Sequence, residues 1–422
     1  MAAPSSDDIT FPTLHHKTWS ANASSILRGL SLDIPGRVFV SRNASLDAAA
    51  YVHVSSDSAA LLDVITSGVT TGHDGSDYLE VRVPSDYGLE IDITGSLLLR
   101  IIVRDPLSWV HTSVEAILED GSLVNTPNEA LSIKATDSGN VYVDVNTRVD
   151  LASLDLITQD DGNVQFTAPS VHIANTLRLV TNDAGSVAIR ATTGTLTGQT
   201  IESATHDDGS IYVTAAATID ANQLRSTVSD SGTINLYPRG TCGTSTVHNS
   251  DDGSVNEGSI VCQNVDVSLS GEGNAYVQAT QSLKSHVSDD GRVYYFNSTP
   301  SVLPTPRPRG RHHHTAPATA FPTQENPFDE FTFGSPPPSE LVPVRIVVIR
   351  RAFFFIRDFE TGPQVYSHPF TLQMDASVDV ASGGWVAEGA AIFGLVCIVL
   401  VLLGVVYKKR SARASYKPLL SR

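Results

Sequence analysis

Cysteine is scarce in this chain. Three cysteines in 422 residues are too few for the multiply bridged frameworks of small secreted domains, and they lack the paired spacing of a structural zinc site. Basic residues are also in deficit, 28 against 45 acidic, for a formal charge of −17. Lys408, Lys409, Arg410, Arg413, Lys417 and Arg422 crowd the acid-free C-terminal tail, so the remaining body is more acidic still. Such a body excludes recognition of a nucleic-acid phosphate backbone. Charged residues of all kinds reach only 17 % while Ser, Thr, Asp and Gly abound, a composition of β-rich extracellular proteins rather than helical ones. No apolar segment of the secretory type precedes Phe11. The histidines His172, His206, His248 and His286 are scattered, no nucleophile motif accompanies them, and a non-enzymatic protein without a cofactor is expected.

What the sequence does contain is a repeat. Between Glu119 and Tyr295 an acidic residue, a small or acidic residue and a glycine recur at Gly121, Gly139, Gly162, Gly185, Gly209, Gly232, Gly253, Gly273 and Gly291, with a mean spacing of about 21 residues. Apolar residues then fall at the second and fourth positions after the glycine, as in Val141 with Val143, Val164 with Phe166, and Ile211 with Val213. This period of two is a strand with one face inward. Further apolar clusters near positions +9 to +11 and +15 add one or two more strands, so each repeat closes one coil of a parallel β-solenoid. The Asp-x-Gly phrase reads as the corner, with glycine accepting a positive φ. Glu257 and Ala275 break the apolar pattern, and a looser wall is expected between Gly253 and Gly273.

These Gly-x-Val-x-Val rungs resemble the putative-adhesin domains of the auto-transporter adhesin head type. The resemblance covers about Leu61 to Tyr295 and implies a parallel β-solenoid with an adhesive role.

The expected organisation is all-β with one C-terminal helix. Residues 1–60 form irregular opening coils or a cap, 61–297 the solenoid, and 298–343 a Pro/Ser/Thr-rich disordered stalk. Residues 344–388 lead to the membrane, their basic and aromatic start reading as a strand pair that packs on the solenoid or lies near the bilayer. Gly389 to Tyr407 is a run of uncharged, mostly apolar residues flanked by Trp385 and by Lys408 to Arg410, which predicts a single-pass transmembrane α-helix. The cationic tail, residues 408–422, then lies in the cytoplasm and the solenoid outside or in a lumen, at the plasma membrane or an endomembrane. The absent signal segment would instead fit a tail-anchored cytosolic scaffold.

Several residues carry candidate roles. Cys242 and Cys262 occupy equivalent places on successive coils and are either a disulfide or two buried thiols. Asn22, Asn43 and Asn297 head N-glycosylation sequons. Tyr416 with Leu419 has the form of a sorting signal for a clathrin adaptor, and Asn326-Pro-Phe328 that of an adaptor ligand; the preferred topology selects Tyr416. The pairs Asp160 with Asp161, Asp207 with Asp208, Asp251 with Asp252, and Asp289 with Asp290 raise calcium as a ligand, although turn chemistry alone accounts for them. The function implied is a membrane-held structural or adhesive surface for an extracellular protein or polysaccharide, with a carbohydrate-active β-helix enzyme as the alternative of another class.

Overall fold

The computed structural model describes residues 14–23, 26–84, 91–304, 319–351 and 354–361. Parallel pairing runs coil to coil through two walls. In the first, Ala130–Ala135, Val149–Thr158, Val171–Thr181, Leu196–His206, Ile219–Ser229 and Gly240–Asn249 stack in order. In the second, Asn140–Asp144, Asn163–Ala168, Ser186–Ala191, Ser210–Ala215 and Thr233–Tyr237 do the same. The chain is a parallel β-solenoid. Inward residues at the second and fourth positions form unbroken apolar columns: Val164, Val187, Ile211 and Ile234 are fully buried, as are Ile189 and Val213.

The glycines of the corner owe their place to contact rather than to backbone angle. It is the aspartate two residues earlier that turns left-handed: Asp137, Asp160, Asp183, Asp207 and Asp230 have φ between 52° and 73°, a region that Asp tolerates better than most residues. A Cβ at Gly232 would stand 2.7 Å from the carbonyl oxygen of Gly209 and 2.5 Å from Thr205 Oγ1. Gly291 would meet Gly273 in the same way, at 2.6 Å. From Gly232 to Gly291 the glycine lets one corner settle onto the carbonyl of the corner before it, and of the nine repeat glycines only Gly121 has the positive φ expected of them.

The wall between Gly253 and Gly273 is closed, not loose. Ser254–Leu269 is one continuous strand, and Glu257 and Ala275 are both buried. Ser226 donates to one oxygen of the Glu257 carboxyl and Ser245 to the other, the latter at 2.7 Å. Burial raises its pKa, and the two serine hydrogen bonds offset part of that rise.

Residues 1–60 are in part built into the solenoid, as the opening-coil reading has it: Leu27–Asp33 and Arg37–Arg42 pair in parallel with Trp109–Thr112 and Glu115–Leu118 on one side, and with Asp77–Arg82 and Ile91–Val103 on the other. The expected stalk is likewise only partly free for that role. Phe321–Thr323 adds to the last rung of the second wall. The chain then runs back along the outer face of that wall until Val342–Arg351 pairs antiparallel with Ile91–Val103. The Pro- and Ser-rich composition hid a row of inward-turned aromatics. Phe328 stacks on Tyr237 with centroids 4.8 Å apart, Phe331 packs on Tyr212 at 5.2 Å, and the Arg190 guanidinium lies 4.1 Å from the centre of the Phe333 ring. Backbone amides of Asp329, Phe331 and Gly334 donate to Asn235 Oδ1, the Tyr237 hydroxyl and Gln165 Oε1. Under this strap Ala188 and Asn235, on the outward side of their strands, lose all exposure.

Candidate functional site

The strap covers the outer face of the second wall. The first wall has an open groove instead. Its long strands bend partway along, where pairing skips between Ile173 and Thr176 and again between Cys262 and Asn264. Along the bend lies a groove of about 630 Å³. His172, Thr197, Asp220 and Thr241 stand in one column along it, and Gln199, Asn222, Gly243 and Gln263 in another. Between them lie Gly198, Ala221, Cys242 and Cys262, side chains too small to fill the bend.

Hydrogen bonds run along the groove from coil to coil. His172 Nδ1 and Thr197 Oγ1 are 2.7 Å apart, Asn222 Nδ2 donates to Gln199 Oε1 at 2.6 Å, and Asp220 Oδ1 accepts from Thr241 Oγ1 at 2.7 Å and from Thr218 Oγ1 at 3.2 Å. Cys242 and Cys262 are joined as a disulfide across adjacent coils. No lysine or arginine lines the groove. Such an arrangement offers hydroxyl and amide groups at a fixed repeat.

The other sequence candidates are dispersed. Asn22, Asn43 and Asn297 are all exposed, with Asn297 at the end of the last long rung. At the corners, the main-chain N–H of Asp137 donates to the Asp160 carboxylate, and that of Asp160 to the Asp183 carboxylate, each at 3.4 Å, so these acids serve the preceding coil. Among the described residues no three His, Cys, Asp or Glu side chains converge as a metal site. Asn326 and Phe328 face the solenoid, Asn326 Nδ2 donating to Ser259 Oγ at 2.6 Å. The docked strap thus withholds that adaptor-like form from a partner. Among the described residues no helix is long and apolar enough to cross a membrane. Gly389 to Tyr407, Tyr416 and Leu419 lie outside the described residues.

Apart from His172, Cys242 and Cys262, the groove residues escaped the sequence reading, yet a signal existed. Gly198, Ala221, Cys242 and Cys262 put small residues where a fully packed column would have large ones, and each is followed by Gln199, Asn222, Gly243 or Gln263.

Residues 90–299 match the family described as putative auto-transporter adhesin, head GIN domain. Those residues are a domain of this adhesin-head family. The match leaves the coil of Leu27–Arg42 outside its bounds, although that coil is built into the same walls. Solved structures similar to this chain include a putative adhesin from Parabacteroides distasonis, 13 % identical, covering 69 % of this chain and 92 % of that one, with a TM-score of 0.35. A putative adhesin from Bacteroides fragilis is 16 % identical over 62 % of this chain and 96 % of its own, with a TM-score of 0.36. A putative lipid binding protein from Parabacteroides distasonis is 13 % identical over 66 % and 95 %, with a TM-score of 0.42. Among curated proteins, none matches the chain.

Proposed function

We propose that this chain is a single-pass membrane adhesin that presents its solenoid outside the cell or in a lumen and binds an extracellular ligand along the groove. The observation that carries this is the contrast between the two walls: one outer face is covered by the chain's own strap, and the other leaves a ladder of hydroxyl and amide groups open. The Cys242 to Cys262 bond supports an oxidising compartment. The apolar run Gly389 to Tyr407 serves as the anchor, and the basic tail faces the cytoplasm, where Tyr416 and Leu419 engage a clathrin adaptor.

The test is gel mobility of the cell-expressed full chain before and after N-glycosidase. A shift that is reduced in Asn22→Gln, Asn43→Gln or Asn297→Gln supports the topology. An unshifted chain whose solenoid is digested by protease added to intact organelles would overturn it. Tyr416→Ala is expected to slow internalisation, and uptake at the normal rate would remove the adaptor contact.

A further inference from the structure

We infer that the groove binds an extended, uncharged glycan, with successive sugar rings set against successive coils; this rests on the groove being the adhesive site. Charge decides first. With no lysine or arginine along it, the groove offers an anionic polymer no counter-charge. Asp220 is its single acid, and two threonine hydroxyls already donate to one oxygen of that carboxylate, which weakens its pull on a cationic polymer. An apolar peptide finds only Ala174 and Val261 as accessible apolar side chains, because Gly198, Ala221 and a disulfide separate the two polar columns.

Hydroxyl-rich ligands fit what remains. The Asn222 to Gln199 hydrogen bond uses one donor and one acceptor. It leaves the Asn222 side-chain carbonyl oxygen as an acceptor and the Gln199 Nε2 hydrogens as donors, groups that neighbouring sugar hydroxyls satisfy. The exposed Gln263 side chain adds a further amide on the same wall. Parallel strands repeat at about 4.8 Å, close to the length of one pyranose unit in an extended chain, so the polar groups of each coil fall in step with each ring. His172 supplies the one ring among the lining side chains. Without an aromatic platform every unit is held weakly, and chain length builds the affinity.

The experiment uses the full chain with its disulfide intact, run in affinity gels containing soluble β-glucan, xylan or mannan, with polygalacturonate as the anionic comparison. Titration calorimetry with oligomers of rising length follows on the glycan that retards the protein. Retardation by a neutral glycan and not by polygalacturonate is expected, with affinity rising with length until the groove is spanned. Asn222→Ala and Gln263→Ala are each expected to weaken binding about tenfold, while Asp161→Asn at a corner leaves it unchanged. Retardation by polygalacturonate, or by none of the neutral glycans, overturns the glycan class. If cells displaying Asn222→Ala nonetheless lose attachment to their partner surface, the adhesive groove survives that failure. Neutral-glycan binding that ignores both amide substitutions overturns the groove itself.

Discussion

At the scale of single residues, Glu257 is the clearest departure from the repeat. It takes the place that Leu236 and Val277 hold in neighbouring coils, and it is tolerated because Ser226 and Ser245 supply hydrogen bonds and burial favours the neutral acid. Its pKa is raised above the ordinary glutamate value of 4.5. The folded state therefore retains a proton that the unfolded chain gives up. The associated stability is fully present below that ordinary value and is lost as pH rises toward the raised one. Thermal melts across this window should show a decline in the natural protein that Glu257→Gln abolishes; parallel curves would show that the residue does not govern it. Gly232→Ala tests the corner contact. Adding a Cβ 2.7 Å from the Gly209 carbonyl oxygen should destabilise by about 1–3 kcal/mol, measured by denaturant unfolding, and a neutral outcome would argue against close stacking of the corners.

Among the elements, the strap was the least legible in the sequence. The solenoid coils announce themselves because alternating apolar residues repeat in a fixed phase with Asp and Gly, and tertiary structure merely stacks them. The strap has no such period. Its information is divided between Phe328, Phe331 and Phe333 on one side and Tyr212, Tyr237 and Arg190 on the other, residues brought together only by the chain's return. Phe331→Ala should accelerate limited proteolysis within residues 319–341 while leaving the solenoid's unfolding midpoint nearly unchanged. The aromatic contact itself contributes about 0.5–1.5 kcal/mol beyond the area it buries. The disulfide is the other local tie. Closing a loop across a sequence separation of 20 residues should stabilise by about 3 kcal/mol in the chain-entropy account. Replacing Cys242 and Cys262 together with alanine should lower the denaturant midpoint accordingly, and no shift would mean that the neighbouring strand pairing already holds those coils.

For the whole molecule, neither the period nor the composition revealed the spatial order of the coils. The coil of Leu27–Asp33 and Arg37–Arg42 lies between later segments, with Asp77–Arg82 on one side and Trp109–Thr112 on the other, because pairing rather than sequence order sets the stack. The return of Val342–Arg351 to Ile91–Val103 extends this departure to the end of the described chain. It also sets a timetable for synthesis. Arg345 bonds Asp92 across 253 residues of sequence, so the edge formed by Ile91 to Leu97 emerges from the ribosome long before the strand that covers it. Throughout that interval the nascent chain carries an unpaired strand edge, the kind of surface on which chains join one another. A polypeptide released before Val342 keeps that edge for good, and a strand made late thus protects one of the earlier ones.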